Sequence, residues 1–235
     1  MTYVPRPYLD DPADSPVCRY MNIEKLLSIL LGHALFFTSG KTLSELDKYE
    51  GQATSSEVSA LNLEPATISE LESKFNQPVQ AQFFFNCWHM NDSESDAMWK
   101  IYVEGTGGVA IRSTITRLKH CFDKSPQDIS LGRIRYINDE AGHFDHPLRR
   151  YMRKRPAFRH EQEVRLVFYD ENKQHTGHRG ISIPVDVGVL VERIVISPRA
   201  ESWLLPLVKK LVIKVGHEIE VVPSEGSAPL PTKTC

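Results

Sequence analysis

The 235-residue sequence has only four cysteines, Cys18, Cys87, Cys121 and Cys235, and no two of them form a CxxC pair. Such scattered thiols signal neither a zinc site nor a redox dithiol, and the simple reading is a reduced, cytoplasmic chain. Net charge is nearly absent, 28 basic residues standing against 30 acidic. No global field therefore draws the chain to nucleic acid or to an anionic membrane. Long apolar runs are missing as well: the longest, "LLSILLGHALFF", holds Gly32 and His33 and is shorter than a bilayer span. No membrane partner is expected. The opening "MTYVPRPYLDDPADSP" has no basic n-region and no apolar h-region, so it does not read as a secretory signal. The histidine pairs of "GHFDHP" and "HTGH" fall outside any expected helix and imply no third ligand, so no metal is expected. "EGTGG" (104–108) leads into a strand and lacks a following Lys-Ser/Thr, which favours a tight turn over a phosphate loop.

What is present is a patterned apolar content of 41%, enough for a sizeable core. "VCRY" (17–20) reads as a strand. "NIEKLLSILLGH" reads as an amphipathic helix with Asn22 as its cap and Gly32 at its end. "ALFFTSG" (34–40) reads as a second strand and turn. "TISELESKF" has capping-box spacing at Thr67 and Glu70, and "NDSESDAMWKIYVEG" has it at Asn91 and Glu94, so each predicts a helix. Further strands are expected at "VQAQFFFNCWH" (79–89), "GGVAIRST" (107–114), "GRIRYI" (132–137), "EVRLVFYD" (163–170), "ISIPVDV" (181–187), "ERIVISP" (192–198) and "EIEVV" (218–222). "ITRLKHCF" predicts a short helix. Another is expected over about 202–215, with Trp203, Leu207, Leu211 and Val215 one turn apart and Pro206 in its first turn. The expectation is one α+β domain over 17–222, between a loose arm at 1–16 and a tail at 223–235.

The chemistry-bearing candidates lie at strand ends. In "RHEQEVRLVFYD", strand alternation places Glu161, Glu163 and Arg165 on one face and Val164, Leu166 and Phe168 on the other. Taken alone, that describes a solvated strand edge with an exposed Glu–Arg pair, worth about 0–1 kcal/mol. Arg19 and Tyr20 lie on the first strand, and Thr38 and Ser39 end the second. If these ends meet, a guanidinium can fork a phosphate, an aromatic ring can stack, and a carboxylate can stabilise a sugar cation. Trp88, His89, Trp99 and Tyr102 are candidate contacts to the same ligand, with ordinary packing as the alternative for each. The basic run "RRYMRKR" (149–155) reads as a solvated face, or as Arg149, Arg153 and Lys154 holding phosphates of a dinucleotide or nucleic acid.

Two resemblances follow from these residues. "CRYMNIEKLLSILLGHALFFTSG" followed at a distance by "EQE" resembles the ADP-ribosyltransferase superfamily, which sets an Arg or His on one strand, a Ser/Thr or Tyr on the next and a Glu, often ExE, on a later one. Arg19 matches the first element, Thr38 and Ser39 the second loosely, and Glu161 and Glu163 the third; the full Ser-Thr-Ser run is absent. Arg19-Tyr20, "DKYEG" (47–51), "CWH" (87–89), "MWKIY" (98–102) and "KRPAFRHEQEVRL" (154–166) are similar, in order, to the prokaryotic domain-of-unknown-function family 2971, with Lys48 where that family has proline. The resemblance implies an ADP-ribosyltransferase-like fold of two packed, mainly antiparallel sheets with flanking helices. It implies NAD+ as substrate, cleaved at the nicotinamide–ribose bond by a transferase or glycohydrolase, in a bacterial toxin or defence effector. Glu163 and Glu161 would be catalytic, and Arg19, Tyr20, Thr38, Ser39, Trp88, His89, Trp99 and Tyr102 would hold NAD+ or a related nucleotide. The acceptor is a protein or a nucleic acid. The alternatives are a non-catalytic nucleotide or nucleic-acid binding module, and a nuclease-like enzyme with Asp47, Glu50, Glu161 and Glu163 as metal ligands.

Overall fold

The structure, a computed structural model, describes residues 3–47, 49–52, 80–138 and 146–227. The helix expected at "TISELESKF", Lys48, most of "GHFDHP" and most of the tail lie outside them. In chain order the elements are β1 (Pro16–Asn22), α1 (Ile23–Gly32), β2 (Ala34–Ser39), α2 (Gly40–Leu46), β3 (Phe83–Met90), α3 (Asp96–Tyr102), β4 (Gly108–Thr114), α4 (Ile115–His120), β5 (Ile129–Arg133), β6 (Arg135–Tyr136), β7 (Arg153–Lys154), β8 (Glu163–Tyr169), β9 (Gly180–Pro184), α5 (Val187–Leu190), β10 (Arg193–Ile196), α6 (Leu204–Lys214) and β11 (Glu220–Pro223). Two 3-10 turns, Pro147–Met152 and Pro156–Glu161, precede β7 and β8. This is the expected mixed α+β composition, with two sheets and flanking helices. No helix among the described residues is long and apolar enough to cross a membrane.

The chain forms two compact units. One draws on Met1–Pro12, Leu35–Cys87 and Ser125–Ile183, the other on Ala13–Ala34, Trp88–Lys124 and Pro184–Cys235. In the first, β8 pairs antiparallel with β5, from Ile129↔Phe168 to Arg133↔Val164. β2 runs antiparallel to β3 at Thr38↔Phe85 and Ser39↔Phe84. β6 and β7 form a short parallel ladder of their own. Phe83, Phe85, Leu148, Tyr151, Met152 and Val167 make a core cluster. Leu9 joins it, although the sequence places this residue in a loose arm; Val4 N donates to Ile129 O (2.8 Å) and Arg133 N to Asp10 O (2.8 Å). The expected strand 132–137 is divided between β5 and β6. β5 starts at Ile129 and stops before Ile134, whose N–H turns to Glu163 O (2.9 Å).

In the second unit β1 pairs along its whole length with antiparallel β4, from Pro16↔Thr114 to Asn22↔Gly108. The end of β3 takes its other edge through Val17↔Met90 and Cys18↔His89. β10 follows antiparallel on β4, and β11 parallel on β10. Helix α1 buries Leu26, Ile29 and Leu30, the spacing of a single helical face. Asn22 occupies its cap position without a capping bond, and the left-handed residue that ends the helix is His33 (φ 46°) rather than Gly32. Helix α3 is capped by Ser95, whose hydroxyl accepts from Met98 N (3.3 Å). The Asn91–Glu94 box is therefore unused. Glu94 accepts instead from Trp99 Nε1 (3.0 Å), Ser224 Oγ (2.6 Å) and Glu225 N (2.9 Å). Helix α6 has Pro206 in its first turn as expected, but it buries Leu204, Val208 and Val212. The expected stripe is out of phase, with Trp203 55% and Leu207 50% exposed.

Candidate functional site

Strand β8 begins at Glu163, and the pattern around it departs from simple alternation. Glu161 closes the turn Pro156–Glu161, and Gln162 between the glutamates is left-handed (φ 40°). The two carboxylates are thus brought together by a turn and not by one strand face. Glu163 and Arg165 do share a face of β8, but that face is covered: Glu163 is 4% and Arg165 1% exposed. The solvated Glu–Arg pair expected from the sequence is in fact a buried one.

Arg165 is the hub. Its Nε donates to Glu163 Oε1 (2.5 Å) and its Nη2 to Glu163 Oε2 (3.2 Å), a two-point grip on one carboxylate. Its Nη1 donates to Glu50 Oε1 and to Tyr151 O (2.6 Å). The guanidinium carbon lies 5.6 Å from the centroid of the Phe85 ring. Lys154 Nζ reaches Glu161 Oε2 (2.5 Å) and Glu163 Oε2 (2.7 Å). Tyr136 Oη accepts from Glu163 N (2.8 Å), fixing the start of the strand. Three carboxylates, Glu50, Glu161 and Glu163, thus meet two cations, Lys154 and Arg165.

Burial alone opposes charge on Glu163, but the cations Arg165 and Lys154 outweigh it and hold the carboxyl down at about 2. Glu163 is ionised at neutral pH. Burial likewise opposes charge on Lys154, and Glu163, Glu50 and Glu161 overcome it, lifting the ammonium above its ordinary range. Cys87 bonds to Glu163; burial and that carboxylate push its thiol up. Burial raises the Tyr136 phenol to about 12.

Glu50 belongs to the "DKYEG" element. Ser44 Oγ donates to Glu50 O (2.8 Å), and Glu50 N donates to Asp47 O (2.9 Å). Gly51 is left-handed (φ 73°), and the place of its absent Cβ is filled by the Tyr151 ring, with Cε1 2.6 Å away. Arg153 Nη2 donates to Gln52 O (2.9 Å). The basic run is not a single face. Lys154 is committed inward, Arg149 is exposed, and Arg155 lies over the rings of Tyr49 (4.3 Å) and Phe158 (5.2 Å). Ser39 is buried as the cap of α2, accepting from Thr42 N (3.2 Å) and donating to Thr42 Oγ1 (3.0 Å). Thr38 pairs with Phe85 on the sheet.

The remaining candidates lie in the second unit. Tyr20 is buried; its Oη accepts from Ser95 N (2.9 Å), and its ring meets Trp99 edge-on at 4.7 Å and His89 at 6.0 Å. Trp88, His89 and Trp99 are buried, so neither tryptophan offers an open stacking face here. Arg19 Cζ lies 6.0 Å from the Trp88 ring centroid, and Tyr102 is exposed. The sequence reading overlooked Arg112, a buried guanidinium on β4 that donates to Cys18 Sγ (3.5 Å) and to Asp92 O. Its only signal was a charge within the apolar run "VAIRS".

The metal-ligand alternative lacks its geometry. Glu50 and Glu163 face Arg165, and Glu161 and Glu163 face Lys154, so the protein's own cations stand among those carboxylates. No group of three His, Cys, Asp or Glu among the described residues is placed to hold a metal. No family model matches the chain, that of family 2971 included, and no curated protein matches it. Among solved structures it is similar to Thermus sp. 2.9 DarT in complex with NAD+, at 12% identity and TM-score 0.45, covering 93% of this chain and 99% of that one. The same protein in complex with ADP-ribosylated ssDNA gives 13% identity and TM-score 0.44, covering 92% of this chain and 97% of that one. A likeness this remote carries no argument about chemistry, which rests on the residues.

Proposed function

We propose that the chain is an ADP-ribosyltransferase-like enzyme or NAD+ glycohydrolase, with NAD+ as substrate and Glu163 as the central carboxylate. The observation that supports this is the state of Glu163: ionised, removed from water, and oriented by two cations. A buried charge cluster is costly to assemble, and such clusters gather at functional sites. In the proposed reaction the C–N bond between ribose and nicotinamide breaks, and its electron pair leaves with neutral nicotinamide. The sugar acquires oxocarbenium character. Water or an acceptor hydroxyl or amine then bonds to the anomeric carbon and loses a proton. Glu163 would accept a hydrogen bond from the adjacent ribose hydroxyl and offset the developing positive charge. That hydroxyl would displace the Cys87 thiol, the weakest of the donors around this carboxylate. Glu161 would orient the nucleophile. A bacterial toxin or defence role would follow from NAD+ consumption.

The second reading is a nucleotide or nucleic-acid binding module without catalysis. It is favoured by the saturation of Glu163, whose oxygens already take Arg165 twice, Lys154 and Cys87. Nicotinamide release from NAD+ separates the two. The enzyme reading expects release by the wild type and at least a hundredfold loss in Glu163→Gln that remains folded by circular dichroism. Binding of NAD+ by calorimetry with no release supports the module, and full activity in Glu163→Gln removes Glu163 from the chemistry.

A further inference from the structure

We infer that Glu50 is a positioning residue for Glu163, acting through Arg165, whose guanidinium it holds from the opposite end. Arg165 divides its donors by direction: Nε and Nη2 face Glu163, while Nη1 faces Glu50 and Tyr151 O. Nη1 carries two hydrogens: Tyr151 O accepts one at 2.6 Å and Glu50 Oε1 accepts the other. The Glu50 carboxylate thus holds the guanidinium at a point away from the end that grips Glu163. It fixes rotation of the guanidinium, and it draws part of the positive charge away from Glu163.

The loop is built to deliver that carboxylate. Glu50 is tied at both backbone groups, its N–H to Asp47 O and its C=O to Ser44 Oγ. Gly51 then lays the chain against the Tyr151 ring, and Arg153 holds the carbonyl of Gln52. Among the described residues, the charged and titratable groups that interact with Glu163 include Arg165 on its own strand, Lys154 of β7, Tyr136 of β6 and Cys87 of β3, and Glu161 of the preceding turn shares Lys154 with it. Glu50 reaches Glu163 through the first of these.

The catalytic arm of this inference rests on the glycosidic chemistry proposed above; the structural arm does not. The test is Glu50→Gln in the full chain, which keeps the shape and an acceptor while removing the charge. In nitrogen NMR, the Arg165 Nη hydrogens of the wild type should be slow to rotate and to exchange, and Glu50→Gln should speed both at least tenfold with the fold intact. Nicotinamide release should lose at least tenfold in kcat while KM for NAD+ stays within twofold. Glu50→Asp, which restores the charge, should recover most of both readouts. Unchanged Nη rates in folded Glu50→Gln overturn the inference. Should that variant not fold, the wild-type spectrum decides, because freely rotating Nη hydrogens overturn it equally. Slow Nη hydrogens released by Glu50→Gln, in a chain that liberates no nicotinamide, would support the coupling and count against the enzyme reading alone.

Discussion

Glu163 and Arg165, two residues apart on β8, grip each other through two parallel bonds (2.5 and 3.2 Å) with almost no solvent access to either. Exposed pairs of this kind contribute little, but a buried one is unforgiving when only one partner is removed. Arg165→Met would strand Glu50 and Glu163 together. We expect it to cost about 3–5 kcal/mol in urea unfolding. A loss under about 1 kcal/mol would contradict the buried-pair description.

The same cluster sets a direction for acid sensitivity. The Glu163 carboxyl is lowered from 4.5 to about 2, so the folded form holds its proton less tightly than the unfolded form. Its contribution is therefore complete above pH 4.5 and is lost as pH falls towards 2. The difference in melting temperature between wild type and Glu163→Gln should be constant from pH 5 to 7, a range of about two units chosen above the unfolded carboxylate pKa. It should shrink on acidification below that range. Lys154 works in the other direction: its raised ammonium adds stability that is complete below 10.5 and declines only above it. A difference that grows on acidification would contradict the ion-pair assignment.

Helix α6 offers a contrast between neighbouring residues of similar chemistry. Leu204 is buried and Leu207 is half exposed. Leu204→Ala should cost about 2–5 kcal/mol through lost transfer energy and a cavity. Leu207→Ser should stay within about 0.5 kcal/mol. Equal effects in denaturant titrations would mean that the helix buries a different face.

These cases also show how far the sequence carried. Alternation and turn residues placed the long strands, because β1, β3, β4 and β8 are apolar and bounded by polar or glycine-containing turns. Helices α2 and α5, of seven and four residues, were invisible to periodicity. Their signals are the caps Ser39 and Asp186. In α6 the sequence supports two apolar stripes one residue apart, and only packing selects between them.

At the candidate site, the i, i+2 spacing of Glu163 and Arg165 was legible, but its burial was not. Alternation says which side chains share a face and is silent on what covers it. The cover comes from Phe85, from Tyr151 and from Glu50, the last 115 positions from Arg165 in the chain. Lys154 was noticed as a phosphate candidate within a basic run, yet its ammonium is bonded to two glutamates. A charge run conceals such a defector, because composition carries no information about inward or outward.

Gly51 gives the loop beside the site a vulnerability that no titratable group reveals. Its missing side chain is the clearance through which the backbone lies flat on the Tyr151 ring. Any larger residue would have to lift the peptide off that surface, and it would also have to adopt a backbone twist that L-amino acids resist. The neighbouring Glu50 would travel with it. A purely steric lesion at an uncharged residue would thus read out as an electrical one, loosening the grip on Arg165 while every ionisable group in the chain remained in place.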